Sequence, residues 1–241
     1  MHEQTDPEQD ALVARALAAF DAQGIEQAVS VITSCGDPLE AGAAFSALGK
    51  ALYRDRKNVT AMIAIGEAGV TFCLKEAKAA VDTVTAATLK KRARGIAFNT
   101  ATNCWPGWGD DGIRIDKGHL QSGLTLAGIC RDLGGELELS QKAVGGADWL
   151  IGALKLAAGR PREALEDFER ARRAFEVGGN TAYELMARGY AALAQKADPI
   201  STSVGAHEFA AALQKLREEG SKDSLFFAEQ LVVAERILLA H

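Results

Sequence analysis

The sequence has few residues that interrupt helices. Only five prolines occur in 241 residues, and aromatic side chains make up 6% of the chain. Alanine is abundant instead, and it loses no side-chain entropy when it enters a helix. Since 48% of the residues are hydrophobic, the composition predicts an all-α protein with a sizeable core, in one large or two small domains.

The chain also lacks the signals of membrane insertion, secretion and disulfide bonding. It contains no apolar run of about 18 residues, so we expect no membrane-spanning helix. Residues 1–10 are acidic and polar, unlike a secretory signal. The cysteines have no C-x-x-C spacing, which favours reduced thiols; they are Cys35, Cys73, Cys104 and Cys130. These absences together favour a cytoplasmic protein.

An excess of basic charge is absent as well. The chain has 27 lysines and arginines against 32 acidic residues, a net charge of −5. A dedicated nucleic-acid binder needs a basic face that displaces counterions. The single basic cluster, residues 90–94, would spread its charges around a helix and is explained as a solvated face. We therefore expect no nucleic-acid partner.

Residues 149–171 have the pattern of a helical hairpin. Gly152 is placed where a second helix can approach closely, and Gly159 ends the first helix. Pro161 lies in the first turn of the next helix, where its missing N–H costs little. Small and aromatic residues then recur at spacings of four and three on one helical face, namely Ala164, Phe168 and Ala171. The stretch predicts a tightly packed antiparallel pair of helices.

The same spacing recurs along the chain. From a starting position, steps of twelve, four and three residues lead to small or apolar residues. The further sets are Gly49, Ala61, Ile65 and Ala68; Ala16, Ala28, Ile32 and Cys35; and, with four residues inserted near Asp198, Gly189, Gly205, Phe209 and Ala212. About 34 residues separate the set that begins at Ala16 from the set that begins at Gly49. The sets that begin at Gly152 and Gly189 are separated by a similar length.

This repeating pattern resembles the tetratricopeptide repeat, a hairpin of two helices with small residues and an aromatic at the helix contact. The resemblance implies a right-handed superhelix of stacked hairpins. It covers residues 1–241 as a single helical-repeat domain, with an irregular middle at about 70–147 and a closing helix at about 221–240. That last helix is apolar on more than one face, so we expect the preceding hairpin or a second copy of the chain to cover it.

Cap residues predict where several helices begin. The expected starts are at Asp6 with Pro7, at Asp37 with Pro38, at Asn58 and at Asp116. The longest helix is expected from about Asp82 to Trp105, where Pro106 would end it. Two glycine pairs are expected to bound a short helix, Gly134 with Gly135 and Gly145 with Gly146.

Residues 105–112, the tryptophan loop, are the one real interruption of helical character. From Gly107 the loop matches G-x-G-x-x-G by letter. A dinucleotide motif follows a strand and opens a helix, whereas here a helix precedes it and Asp110 and Asp111 would repel phosphate, so no cofactor is expected. Trp105 and Trp108 either pack back over the helix ends or offer an aromatic contact to a partner.

The candidate ligands for a metal ion are Asp110, Asp111, Asp116 and His119. Asp116 is explained as a helix cap and His119 as a first-turn residue. No second histidine lies four residues away on the same helix. No catalytic set is evident in the local sequence either, so we expect neither a metal nor catalysis.

A polar stripe precedes the tryptophan loop on the longest predicted helix. Arg92, Asn99 and Asn103 share one helical face, although asparagine is a poor helix former. Two explanations remain open. The amides hydrogen-bond the backbone of an extended peptide, or they bond a neighbouring helix or the tryptophan loop.

The resemblance also implies which residues meet a partner, because peptide-binding members line their inner face with the first helix of each hairpin. Carried over by spacing, this face has a basic, polar N-terminal part and an aromatic, apolar C-terminal part. With the stripe and the loop, the predicted partner-binding residues are Lys50, Tyr53, Arg54, Arg92, Asn99, Asn103, Trp105, Trp108, Tyr183 and Tyr190. We expect a non-catalytic module that binds a protein or peptide segment. The alternative is a helical enzyme or small-molecule sensor with a pocket near the tryptophan loop.

Overall fold

The computed structural model describes residues 7–239. Within that range the chain forms eleven α-helices and one 3₁₀ helix and contains no strand, which confirms the all-α prediction. None of these helices has both the length and the apolar character needed to cross a bilayer. The α-helices are α1 Pro7–Gln23, α2 Ile25–Thr33, α3 Pro38–Arg54, α4 Val59–Ala79, α5 Thr83–Asn103, α6 Lys117–Glu136, α7 Gln141–Ala157, α8 Pro161–Val177, α9 Thr181–Ala197, α10 Thr202–Glu219 and α11 Lys222–Leu239, and the 3₁₀ helix is Pro106–Trp108.

The chain divides into two compact units. The first ends at Asn103 and contains α1–α5, and the second begins at Cys104 and contains the 3₁₀ helix and α6–α11. In each unit, helices that are neighbours in sequence pack against each other. The superhelical arrangement and the identity of the repeat stay predictions.

In the first unit, α3 and α5 both pack against α4 and also against each other. The connection from α3 to α4 spans only residues 55–58, and that from α4 to α5 only residues 80–82. Connections this short join antiparallel neighbours. Because each of the two turns reverses the chain, α3 and α5 run in the same direction.

Three of the predicted helix starts are confirmed by side-chain caps. The Asp37 carboxylate accepts a hydrogen bond from the Leu39 N–H at 2.8 Å, and Asn58 Oδ1 accepts one from the Ala61 N–H at 3.0 Å. Such a cap satisfies one of the backbone donors that a helix start leaves open. The third is Asp116, which is described with the candidate site. Asp6 lies outside the described residues.

The predicted short helix between the two glycine pairs is wrong. Gly134 and Gly135 lie inside α6, and α7 runs without a break through Gly145 and Gly146. A Cβ atom on Gly145 would lie only 2.8 Å from the ring carbon Cε1 of Phe175. The glycine is therefore a contact point between α7 and α8 and not a helix stop.

The predicted hairpin of residues 149–171 is confirmed as the α7–α8 pair. A Cβ atom on Gly152 would lie 2.8 Å from Phe168 Cε1 and 3.2 Å from the Ala164 carbonyl oxygen. Ala164, Phe168 and Ala171 are all completely buried. Gly159, just beyond α7, has φ +74°, the left-handed conformation in which glycine ends helices.

One face of α11 is covered by helices that precede it, which is the first of the two alternatives that the sequence left open. Phe227, Leu231 and Ala234 are buried, and α11 packs against α9 and α10. Leu225 and Phe226 remain about half exposed, at 45% and 53%. Association of two copies through this face stays a prediction.

Candidate functional site

The main candidate site is a groove in the first unit, along the line where α3 and α5 meet. It consists of two adjoining cavities of about 300 Å³ each, which share Ser46, Ile96 and Asn99. One cavity, which we call the terminal cavity, lies at the C-terminal ends of both helices and includes Lys50 and Arg54. The other, which we call the inner cavity, lies nearer their middle. We call the two together the α3–α5 groove.

The two helices approach each other because α3 carries a glycine where α5 carries an arginine. A Cβ atom on Gly42 would lie 2.8 Å from Arg92 Cγ and 2.9 Å from Cys73 Sγ. The aliphatic stem of Arg92 therefore lies across α3, while its side chain as a whole is exposed. Burial raises the pKa of the Cys73 thiol to about 11, against the opposing effect of Arg92, so this thiol stays protonated near neutral pH.

The fit of α5 on α4 forms the base of the groove. A Cβ atom on Gly66 of α4 would overlap Thr100 Oγ1 of α5, so the two helices are in close contact there. Phe45, Met62 and Ile96 form an apolar floor and are at most 2% exposed. A ligand in the groove would therefore meet an apolar base between polar walls.

The charged residues of the groove are all cationic. Lys50 and Arg54 line the terminal cavity, Lys91 and Arg92 line the inner one, and neither cavity is lined by a carboxylate. Among the described residues, no carboxylate forms an ion pair with Lys50, Arg54 or Arg92. The α5 sequence as a whole has four basic residues and no acidic one.

The helix dipoles reduce this positive charge without cancelling it. The C-terminal ends of α3 and α5 both lie at the terminal cavity, and each helix end carries roughly half a negative charge. Lys50 and Arg54 contribute two positive charges. The terminal cavity is left with a surplus of roughly one elementary charge, to which the inner cavity adds, so the groove favours anions.

Asn99 and Asn103 face the same terminal cavity as Lys50 and Arg54. Asn99 is exposed and Asn103 half-buried. Neither amide forms a hydrogen bond to a described residue. Their donors and acceptors are thus available to a ligand, as the first of the two explanations requires.

Five predicted site residues therefore meet in one groove, although the sequence separates them into two stretches. Lys50, Arg54, Asn99 and Asn103 line the terminal cavity, and Arg92 lines the inner one. Tyr53 is buried, at 6% exposure, and lines neither cavity.

The other four predicted aromatic contacts lie in the second unit, where three of them belong to one ring cluster. Ring centroids are 5.7 Å apart for Trp105 and Tyr190, and 4.9 Å apart for Trp105 and Trp108, in edge-on arrangements. Trp149 lies beside both Trp105 and Tyr190, at 5.6 and 5.5 Å. Trp105 and Tyr190 are at most 1% exposed, so they are core residues in this structure, whereas Trp108 is half-buried.

The C-terminal helix fixes the tryptophan loop. The Tyr190 hydroxyl donates to Gln230 Oε1, and the Gln230 amide donates to the Gly107 carbonyl at 3.1 Å. Burial raises the pKa of Tyr190 well above its ordinary value. Through Gln230, α11 thus connects the loop to α9.

Tyr183, the remaining predicted contact, is half-buried between other side chains. Its ring centroid lies 3.9 Å from the Lys142 ammonium and 4.9 Å from the Phe227 ring. A cation over a ring face is a favourable arrangement. The ring is thus in contact with its own chain on two sides.

Sequence reasoning missed a buried charge network between α7 and α8. Asp167 is completely buried and pairs with the Lys155 ammonium at 2.7 Å and with Arg170. Asp148 is 6% exposed and lies 3.7 Å from Arg170. Burial raises the pKa of the Asp148 carboxyl, mainly against the attraction of Arg170 and Arg131. The signal in the sequence that could have indicated this network is an acidic residue directly next to an aromatic core residue, which occurs twice.

Two of the four candidate metal ligands, Asp116 and His119, have a structural role. Asp116 accepts a hydrogen bond from the His119 N–H at 2.8 Å, and His119 Nδ1 accepts one from the Asp116 N–H at 3.2 Å. This reciprocal cap begins α6, as predicted. In the part of the chain that the structure describes, no group of three or more potential ligands is arranged for a metal.

No family model matches this chain, and no curated protein matches it.

Proposed function

We propose that this chain is a non-catalytic binding module whose α3–α5 groove receives an acidic segment of a partner protein. The observation that carries the proposal is the meeting of Lys50 and Arg54 with Asn99 and Asn103 in one cavity without a carboxylate. Cations attract acidic side chains, and free amides can hydrogen-bond the main chain that connects those side chains.

The shape of the groove favours a segment of chain as its ligand. Two adjoining cavities of about 300 Å³ each, which share residues along one line, suit an extended segment that places one side chain in each cavity. The apolar floor of Phe45, Met62 and Ile96 can cover the aliphatic parts of such side chains. A cytoplasmic location and the absence of a nucleic-acid partner belong to the same proposal.

Synthetic peptides test the proposal directly. We would use labelled peptides of about eight residues, long enough to span both cavities at ~3.3 Å per residue, with two glutamates at varied spacing on an alanine and serine background. The same peptides with glutamine in place of glutamate serve as the neutral set. Fluorescence anisotropy should show binding of a glutamate peptide that weakens between ~50 mM and ~500 mM salt, as exposed charge interactions do.

Two double variants test the location. Lys50→Glu with Arg54→Glu should weaken binding by at least tenfold, because each lost charged hydrogen bond contributes ~1.5–3 kcal/mol. The matched control is Lys75→Glu with Lys78→Glu on α4, which changes the net charge equally at exposed residues outside both cavities. Lys78 also lies in the last turn of its helix, as Arg54 does.

Two results would contradict the proposal. Equal binding of glutamate and glutamine peptides would remove the acidic partner. An equal loss in both double variants would show that binding follows the net charge and not the groove.

A further inference from the structure

The helical glycines of the first unit fall into two groups. They are Gly42, Gly49, Gly66, Gly69 and Gly95. At three of them a Cβ atom would come within 2.9 Å of a neighbouring side chain, so the absence of a side chain allows helices to touch. At Gly49 and Gly95 a Cβ atom would have no neighbour within 4 Å.

Gly49 and Gly95 are unfavourable for the fold itself. Both lie in helix interiors, where glycine is the poorest residue after proline and alanine the best. Neither has a positive φ, so no special backbone conformation requires glycine there. Since neither packing nor conformation accounts for them, the intramolecular structure would be more stable with alanine at both positions.

Both of these glycines line the α3–α5 groove. Gly49 lies in the terminal cavity beside Lys50, and Gly95 lies in the inner cavity beside Arg92. Without a Cβ atom, the helix backbone itself is the surface at these two points. Glycine is typically used where another backbone must approach closely.

From these observations we propose that the main chain of the bound acidic segment lies directly against Gly49 and Gly95, crossing the groove from α3 to α5. This inference rests on the function proposed above. One acidic side chain of the segment then reaches Lys50 and Arg54, and a second reaches Arg92.

The same geometry restricts the segment between its two acids. Asn99 belongs to both cavities, so its amide meets the segment's main chain midway. A large side chain pointing at either glycine would hold the segment's backbone away from the helices. The partner is therefore an extended segment with two acids separated by small residues such as glycine, alanine or serine.

The test combines stability and binding in the full chain. Gly49→Ala and Gly95→Ala, singly and together, should each raise the Tm by a few degrees, since alanine is the better helix former. The double variant should bind the best glutamate peptide with serine between its acids at least tenfold more weakly. The same peptide with leucine between its acids should bind the wild-type chain at least tenfold more weakly.

Gly128→Ala is the matched control. Gly128 lies in the interior of α6 in the second unit, and a Cβ atom there would also have no neighbour within 4 Å. This variant should raise the Tm and leave peptide binding unchanged.

The two proposals can fail separately. If the wild-type chain binds a glutamate peptide and the glycine variants bind it as tightly, the backbone contact is overturned and the groove function stands. If no glutamate peptide binds the wild-type chain, both proposals are overturned.

Discussion

The contact between α7 and α8 makes a quantitative prediction about a single methyl group. In Gly152→Ala the new Cβ atom would lie 2.8 Å from the Phe168 ring and 3.2 Å from the Ala164 carbonyl. The ring is completely buried and the carbonyl belongs to the backbone, so neither neighbour moves freely. The added methyl therefore forces the hairpin apart or twists Phe168 from its rotamer.

Two opposing effects set the magnitude. Alanine improves helix propensity over glycine by ~1 kcal/mol, and overpacking a well-packed core costs ~1–3 kcal/mol. Gly128→Ala supplies the first effect alone, in the same unit and with open space around the new methyl. The difference between the two variants isolates the overpacking cost, which corresponds to roughly 2–12 °C in Tm for a domain of this size. Gly152→Leu should be less stable still, by several kcal/mol.

Thermal unfolding followed by circular dichroism measures the three variants. We expect the Tm to rise in Gly128→Ala and to be lower in Gly152→Ala than in that control. If Gly152→Ala is as stable as Gly128→Ala, the helices are not in contact at Gly152 and the hairpin is packed differently.

Three further predictions follow from the polar groups. Asn99→Ala with Asn103→Ala should weaken peptide binding by ~1–3 kcal/mol and leave the Tm unchanged or higher; a lower Tm with intact binding would show that the amides are structural. Asp148→Asn should become more stable relative to the wild-type chain as the pH rises from about 4 to about 7. Burial raises the pKa of the Asp148 carboxyl above 3.8, and an acid whose pKa is raised in the folded state lowers the stability of the fold as the pH rises. Urea titrations at both pH values measure the difference in stability, and an equal difference at both would contradict the prediction. Gln230→Leu should lower the stability by ~1–3 kcal/mol, since it leaves the buried Tyr190 hydroxyl unpaired; a change in tryptophan fluorescence should accompany the loss, and an unchanged Tm would show that the hydrogen bond is dispensable.

Helix starts and the α7–α8 hairpin could be predicted from the sequence because their causes are local. Asp37 and Asn58 bond backbone groups two and three residues away, so the cap and its helix start appear together in the sequence. In the hairpin, Gly152 and Phe168 are separated by one short turn. Spacing alone then determines which side chains meet.

The candidate site could be predicted only in parts. Spacing identified Lys50 and Arg54 on one helix and Asn99 and Asn103 on another. That the two stripes line one cavity depends on α3 and α5 both packing against α4. No local pattern determines that arrangement, because it requires two consecutive antiparallel turns.

The aromatic part of the predicted inner face shows a second limit. Periodicity shows that a face is apolar but does not show whether the protein covers it. Tyr190 is completely buried, its ring lies against Trp105, and its hydroxyl bonds Gln230 of α11. A later part of the same chain occupies the place that a partner was expected to take.

The glycines illustrate both limits on prediction from the sequence, because this one residue type has three different roles in the chain. Gly159 ends a helix with φ +74°, and this role can be predicted from its neighbours in sequence. Gly152 brings two helices together, and this role requires knowledge of the facing helix. Gly49 and Gly95 have no such partner within the chain, so their cost to helix stability has no intramolecular compensation. Only a three-dimensional structure distinguishes the last group, because it shows that Gly49 and Gly95 both line the α3–α5 groove, whereas Gly128, which also has no neighbour, lines neither cavity.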